Sequence, residues 1–163
     1  MSHICALLDT GAVKCWGSNA EGQLGDGTTE QREAPVDVPS LPSGVVQISA
    51  GYRYTCALLD TDAIKCWGYN ALGQLGDGTK ENRTIPVDVT SLSSGVVQIS
   101  AGDYHACTLL DTGAMKCWGY GAYGQLGNGT ITQSTTPVDV MSLSGIKQIF
   151  SYSGLSNSSF AIT

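Results

Sequence analysis

Residues 56–78 read CALLDTDAIKCWGYNALGQLGDG, and the same frame stands 51 residues earlier from Cys5 to Gly27 and 51 residues later from Cys107 to Gly129. Cys5, Cys56 and Cys107 align, as do Cys15, Cys66 and Cys117, then Trp16, Trp67 and Trp118, then Pro35, Pro86 and Pro137. A period of this kind overrides a single-core reading of a 163-residue chain, because each unit buries its apolar face only against the next. Every unit holds four short apolar runs between glycine and polar turns, which predicts four strands. In the first full unit they are Val45 to Ala50, Tyr54 to Leu59, Ala63 to Trp67 and Pro86 to Val89. The fold class is all-β: four-stranded antiparallel blades of a β-propeller, about three in this chain, hence a partial propeller or half of an assembled ring. One repeat array is expected over 1–163, with units at approximately 1–44, 45–95 and 96–144 and a terminal partial blade at 145–163.

Composition narrows the class further. The chain has 21 glycines, 42% hydrophobic and 13% charged residues, a turn-rich makeup too apolar for a disordered tail. No window offers the 18 or more uncharged apolar residues of a membrane helix, so membrane insertion is not expected. Eight basic against fourteen acidic residues give a net charge of -6, which argues against nucleic acid as a partner because a phosphate backbone needs a cationic face.

The strings WGSNAEGQLGDG and WGYNALGQLGDG, each followed by PVDV, VVQISAG and a CALL or CTLL strand, resemble the regulator of chromosome condensation repeat family over essentially the whole chain. The resemblance implies a propeller, usually seven-bladed, with VVQISAG innermost, then CALL, then KCWG, and PVDV at the rim. The residues agree at the rim, where Pro35, Pro86 and Pro137 lack an N–H and Asp37, Asp88 and Asp139 sit mid-strand, both protections of a sheet edge. Two departures stand out: the paired cysteines, and too few blades for a family propeller. The first blade lacks an inner strand. After Leu143 one residue is deleted, and the chain ends on an inner strand, Ile146 to Phe150, plus a run near Phe160 that resembles the CALLDT strand, with Ser159 or Phe160 at the cysteine position. A fragment of a longer propeller, or a homodimer in which two chains exchange ends to close six blades, is expected. In the exchanged blade Ile4 to Leu8 takes the second-strand place, and Gly154 to Thr163 is displaced or mobile.

The six cysteines are read from the hairpin. If Asp9, Thr10 and Gly11 form a three-residue loop with Gly11 left-handed, Leu7 faces Val13, Ala6 faces Lys14 and Cys5 faces Cys15. The same register pairs Cys56 with Cys66 and Cys107 with Cys117, with Asp62 tolerated at the left-handed position. Directly opposed residues lie about 4.5 to 5.5 Å apart at Cα, within reach of a disulfide. The alternative is three pairs of reduced, buried thiols. Disulfides imply an oxidising compartment, so an extracellular or cell-surface location is expected. The N-terminus MSHICALL shows no signal peptide pattern, which leaves one lost with upstream blades or never present. Asn82, Asn128 and Asn157 open glycosylation triplets of a kind that arises by chance in such loops.

Candidates for chemistry are mostly periodic, and periodicity points to structure. Asp9, Asp60 and Asp111 recur at the hairpin turn, where Asp bonds its own backbone. Asp26, Asp77 and Asn128 recur in the GQLG loop, one carboxylate or amide per loop, too few oxygens for calcium. His3 and His105 are the only histidines and no CxxC occurs, so no metal site is expected, and neither a cofactor nor a catalytic residue is assigned. Trp16, Trp67 and Trp118 are expected to pack between blades. The light-sensing member of the family carries tryptophan in a GWRHT string. Here that string is Gly51-Tyr52-Arg53-Tyr54-Thr55 and Gly102-Asp103-Tyr104-His105-Ala106, without the tryptophan.

What varies on the constant frame is the turn between inner and second strands, Tyr52 and Arg53 in one unit and Asp103 and Tyr104 in the next, together with Glu21, Leu72 and Tyr123 in the long loop. Tyrosine and arginine favour binding hot spots, and loops of one propeller face converge. The expected function is a non-enzymatic binding module whose face at Tyr52, Arg53, Asp103 and Tyr104 meets a protein or glycan. The alternatives are the self-associating ring and neutral drift in exposed loops.

Overall fold

The computed structural model describes residues 2–41, 43–92, 94–151 and 159–162. Its first sheet joins β1 (His3–Leu7), β2 (Val13–Gly17) and β3 (Arg32–Asp37). Its second is the four-stranded β4 (Val45–Ala50), β5 (Tyr54–Leu59), β6 (Ile64–Gly68) and β7 (Arg83–Asp88). The third repeats that order in β8 (Val96–Ala101), β9 (His105–Leu110), β10 (Met115–Gly119) and β11 (Ser134–Asp139). A two-stranded sheet follows, β12 (Gln148–Ser151) with β13 (Ser159–Ile162). All pairings are antiparallel, and the described residues contain no helix. These are propeller blades laid in sequence order; among the described residues the first blade has no inner strand and the last has its inner pair.

The outermost strand begins earlier than the sequence pattern placed it, at Arg83 rather than Pro86. An irregularity between Cys66 and Gly68 absorbs two extra residues of β7 and lets Gly68 oppose Arg83, so pairing extends past the proline. The rim aspartates are also more than edge protection. Lys14 donates to Asp37, Lys65 to Asp88 and Lys116 to Asp139 at 2.7, 2.7 and 2.6 Å, each lysine lying on the third strand of its blade. Such exposed pairs contribute a few tenths of a kcal/mol, about 0.2 to 1 each, so their role is mainly to fix the outer strand's register.

The core lies between blades. Val13, Cys15, Leu24 and Val38 of the first blade pack on Val45, Ala57, Leu59 and Trp67 of the second. Trp67 and Trp118 are fully buried, and each indole donates to a main-chain carbonyl of the preceding blade's GQLG loop, Trp67 to Gln23 and Trp118 to Gln74, both at 2.9 Å. Gly76 has φ +68° and a methyl there would stand 2.7 Å from Trp118 Nε1, so the loop needs a glycine for this approach. Trp16, at the open edge, is half-buried. The inner strands are joined by amides. Gln47 donates to the Ile99 carbonyl and accepts from its N–H, at 2.9 and 3.0 Å, and Gln98 does the same to Ile149 at 2.8 and 2.9 Å.

The tail differs from the displaced segment expected of it. Gly154 to Ser158 and Thr163 fall outside the described residues, but β13 pairs with β12 and opposes Phe160 to Phe150. The corresponding pairs are Ser49 with Cys56 and Ser100 with Cys107, so Phe160 occupies the cysteine place. Within one chain the free edge of β12 is satisfied by the nearest available strand, and β13 holds the position that the exchanged ring assigns to Ile4 to Leu8.

Candidate functional site

The scaffold of the site starts with the hairpins. Gly11 and Gly113 adopt φ 76° and 75°, Asp62 adopts 64°, and Leu8 N–H donates to the Ala12 carbonyl at 2.9 Å. Cys5 therefore opposes Cys15, Cys56 opposes Cys66 and Cys107 opposes Cys117, each with Cα atoms 4.1 Å apart and sulfurs at disulfide distance. That separation is tighter than the spacing read from the ladder. In the turn itself the side-chain acceptor is Thr10 in the first blade and Thr112 in the third, each taking a main-chain N–H two residues on at 3.4 Å, whereas the sequence pointed to the aspartate.

The opposite ends of these strands carry the variable turns, and the structure brings all four singled-out residues together. Tyr52 N–H donates to the Asp103 carbonyl at 3.2 Å, which ties the turn of the second blade to that of the third. The rings of Tyr52 and Tyr104 meet edge to face with centroids 5.4 Å apart. The Arg53 guanidinium lies 5.0 Å from the Tyr52 centroid and donates through Nη1 to Glu21 Oε1 at 3.1 Å. Glu21 Oε2 in turn accepts from Asn82 Nδ2 at 2.7 Å. The long loops of the first and second blades and the turns of the second and third thus form one continuous surface. Arg53 sits at φ 62°, a left-handed conformation unusual for a side chain of this size and held here by contacts on two sides.

Electrostatics follow from that packing. The field of Tyr52 raises the Arg53 guanidinium above its ordinary value, burial opposes it, and the hydrogen bond and charge of Glu21 add to the rise. Burial first, then the fields of Tyr52, Asp103 and Tyr69, raise the Tyr104 phenol above its ordinary value, so it stays a neutral donor at physiological pH. Leu72 is half-buried, Tyr123 is 80% exposed, and Tyr123 pairs edge to face with Tyr120 at 5.8 Å, farther out on the same face. Sequence reasoning found Glu21 as a variable position but not as the clamp on Arg53, and it missed Asn82 and Tyr69. No local pattern marks either one, since both act across the blade seam.

The other candidates have structural partners. Asp26, whose side chain is 7% exposed, accepts from Arg32, Thr28 and Asn19; Asp77 accepts from Arg83, Thr79 and Asn70 in the same way. Burial pushes both carboxyls up, and these donors more than offset it, leaving each below the ordinary carboxylate range. A carboxylate committed to a guanidinium does not offer a cation a vacant ligand. Among the described residues no three His, Cys, Asp or Glu side chains converge. His3, half-buried in the first blade, and His105, fully buried in the third, are both lowered to about 4 by burial.

Set against known proteins, the regulator of chromosome condensation (RCC1) repeat matches residues 10–58, 66–109 and 113–153. The chain is 32% identical over 152 residues to the ultraviolet-B receptor UVR8 of Arabidopsis thaliana, covering 91% of this chain and 34% of that protein. It is 34% identical over 146 residues to the probable E3 ubiquitin-protein ligase HERC4 of Homo sapiens, covering 88% of this chain and 14% of that one. Among solved structures, yeast RCC1 (Prp20) bound to Kap60 superposes with a TM-score of 0.76 at 22% identity, over 93% of this chain and 38% of that chain. The chain thus spans well under half of each of these proteins, and the last likeness concerns the fold.

Proposed function

This chain belongs to the regulator of chromosome condensation repeat family, and from that premise we propose that it is a non-enzymatic binding module presenting the Tyr52–Arg53–Tyr104 face to a protein or glycan. The observation that carries this reading is the cluster itself: side chains from three blades are locked to one another, yet Tyr52 and Arg53 remain 38% exposed, and Arg53 keeps a left-handed backbone. Rigid aromatic and guanidinium groups lose little entropy on binding, which is what a hot spot requires. Family members are commonly protein-binding, as the yeast RCC1 complex with Kap60 illustrates for that protein. Light sensing gains no support, because Tyr52 and Asp103 stand where the light-sensing motif has tryptophan. The paired cysteines favour an oxidising, extracellular or cell-surface setting. The test is a panel of purified extracellular proteins and glycans screened against the parent chain and a Tyr52→Ser, Tyr104→Ser variant. Binding lost in the variant, with its thermal transition kept, supports the reading; equal binding by both removes it.

A second reading, closure of a ring by two copies, is favoured by the edges. Trp16 is half-buried where Trp67 and Trp118 are fully buried, and Ile4 is 54% exposed where Thr55 and Ala106 are buried. At the other edge, no tryptophan among the described residues donates to the Gln125 carbonyl, the counterpart of Gln23 and Gln74. The two edges are therefore the two halves of the blade-to-blade contact already seen twice. Light scattering of the parent chain and of Trp16→Ala tests it: a dimer dissociated by the substitution supports closure, and a monomeric parent rejects it. Ile149 is a poorer probe, since it is already buried against the third blade within one chain.

A further inference from the structure

We propose that the ligand of this face is a neutral sugar residue, seated at the seam of the first and second blades where Arg53, Glu21 and Asn82 meet the Tyr52–Tyr104 pair. The inference rests on the reading of this face as the binding surface and names its ligand class. Charge supplies the first argument. Arg53 and Glu21 neutralise each other at 3.1 Å in a chain of net charge -6, so the seam attracts neither a phosphate nor a carboxylate strongly. Hydrogen-bonding capacity supplies the second. Adjacent sugar hydroxyls are each donor and acceptor, and they need donors and acceptors side by side. Arg53 presents only donors and Glu21 only acceptors, and Asn82, which donates to Glu21 and accepts the Asn70 N–H at 2.8 Å, keeps one N–H and one lone pair beside them. These planar groups hold each other in place, so little rotamer freedom is lost when hydroxyls arrive.

The third argument is the aromatic pair. A pyranose ring carries a face of weakly positive C–H groups, and the negative face of a tyrosine ring attracts it. The edge-to-face contact of Tyr52 and Tyr104 at 5.4 Å fixes one ring against the other, beside the polar groups. Hydroxyls would then meet the Arg53–Glu21–Asn82 line while the C–H face meets a phenol ring.

The test uses an array of neutral and acidic glycans, followed by calorimetry of the parent chain with the methyl glycoside of the terminal sugar of any hit. Three single variants accompany it: Glu21→Gln, Tyr104→Ala and, on the outer loop, Tyr123→Ala, each first shown to keep the parent's thermal transition. Retention of a neutral glycan, weakened tenfold or more by Glu21→Gln and by Tyr104→Ala and unchanged by Tyr123→Ala, is the expected result. No glycan bound, acidic glycans alone bound, or binding indifferent to Glu21→Gln and Tyr104→Ala would each overturn it. Failure of the sugar alone is separable from failure of the face. A purified protein that binds the parent but not Tyr104→Ala, and binds equally after its glycans are removed enzymatically, sinks the sugar and keeps the face. If Tyr104→Ala alters no interaction in either the glycan or the protein panel, both readings fall.

Discussion

The long loops of the second and third blades share a frame but not an anchor. In residues 69–82 the Asp77 carboxylate gathers Asn70, Thr79 and Arg83, and Trp118 of the next blade donates to the Gln74 carbonyl. In residues 120–134 the matching positions are Gly121, Asn128, Thr130 and Ser134, where Asn128 accepts, among the described residues, from Thr130 alone. Both loops still bury their leucine, Leu75 and Leu126, and both use a glutamine oxygen to accept a local N–H, Gln74 from Leu72 and Gln125 from Tyr123. The third loop leaves Tyr123 and Ile131 80% and 74% exposed. The shape of the turn is thus a local property, whereas its attachment comes from two removable sources, a carboxylate node within the blade and an indole from the neighbour.

Removing the indole breaks the contrast most severely. Trp118→Ala is expected to destabilise the chain by about 3 to 5 kcal/mol, the usual cost of a fully buried Trp, and to raise hydrogen exchange in residues 69–82 toward that of 120–133. Denaturant unfolding with exchange mass spectrometry reads both. If the two loops already exchange alike in the parent chain, the supposed difference in anchoring is wrong.

Acid separates the blades next. The third carries His105 where the second carries Tyr54, and burial lowers the folded His105 from 6.5 to about 4. As pH falls, the unfolded chain takes the proton first, so stability that is complete above pH 6.5 drains away between 6.5 and about 4. The loss is about 3 kcal/mol for a shift of this size. Tyr54, pushed by burial still further above its usual value of 10, does not titrate there. Unfolding free energies from pH 7 to 4 should slope upward with pH, and the slope should flatten in His105→Tyr while the part due to His3 remains. Asp77, held below 3.8, adds its own loss only at lower pH.

A smaller difference is expected from the nodes. Asp77→Ala strands Arg83 and Asn70, at about 2 kcal/mol, while Asn128→Ala should cost less than about 0.5 kcal/mol. Thermal unfolding of the two variants compares them directly. The smallest effect is constructive: Asn128→Asp and Ser134→Arg together should gain about 0.5 kcal/mol, with neither alone giving any, while Gly121 has to stay because a Cβ there would collide with the Thr132 carbonyl. Additive single effects in that series would show that the node is not a unit.

Much of this architecture was legible in the sequence, because it depends on spacing. The hairpin register that opposes Cys56 to Cys66 needs only the length of Asp60-Thr61-Asp62, and the indoles at 51-residue intervals announce a repeated packing role. The start of β7 was not read from the sequence, although Gly68, left-handed at φ 106° and recurring as Gly17 and Gly119, stands at the irregularity in each blade. The tail was legible in part: the run near Phe160 reads as a second strand with Ser159 or Phe160 at the cysteine place, as β13 is found, whereas its retention beside β12 depends on which strand is free to meet that edge. In the binding face, Tyr52, Arg53, Asp103 and Tyr104 were visible as variation on a constant frame. The partners Glu21 and Asn82 come from loops 61 residues apart and become neighbours only when blades stack. The Lys14–Asp37 pair and its two copies were recoverable: lysine and aspartate recur with the same separation of 23 in all three units.

The amide zipper along the inner strands has a bearing on how such arrays change length over time. Gln47 grips the backbone at Ile99 and Gln98 grips the backbone at Ile149, while Ser49 and Ser100 accept the N–H of Ala101 and Ser151 at 2.9 and 2.6 Å. Since the grip falls on main chain, a duplicated unit inherits both the hand and the handle, and a genetic insertion of one period arrives with its junctions already compatible. Phe150 interrupts that inheritance. It stands where Ser49 and Ser100 stand, 44% exposed and without a hydroxyl, so a blade laid beyond it would keep the amide of Gln148 but lose the second fastening. Growth by duplication is therefore easier within the array than past β12.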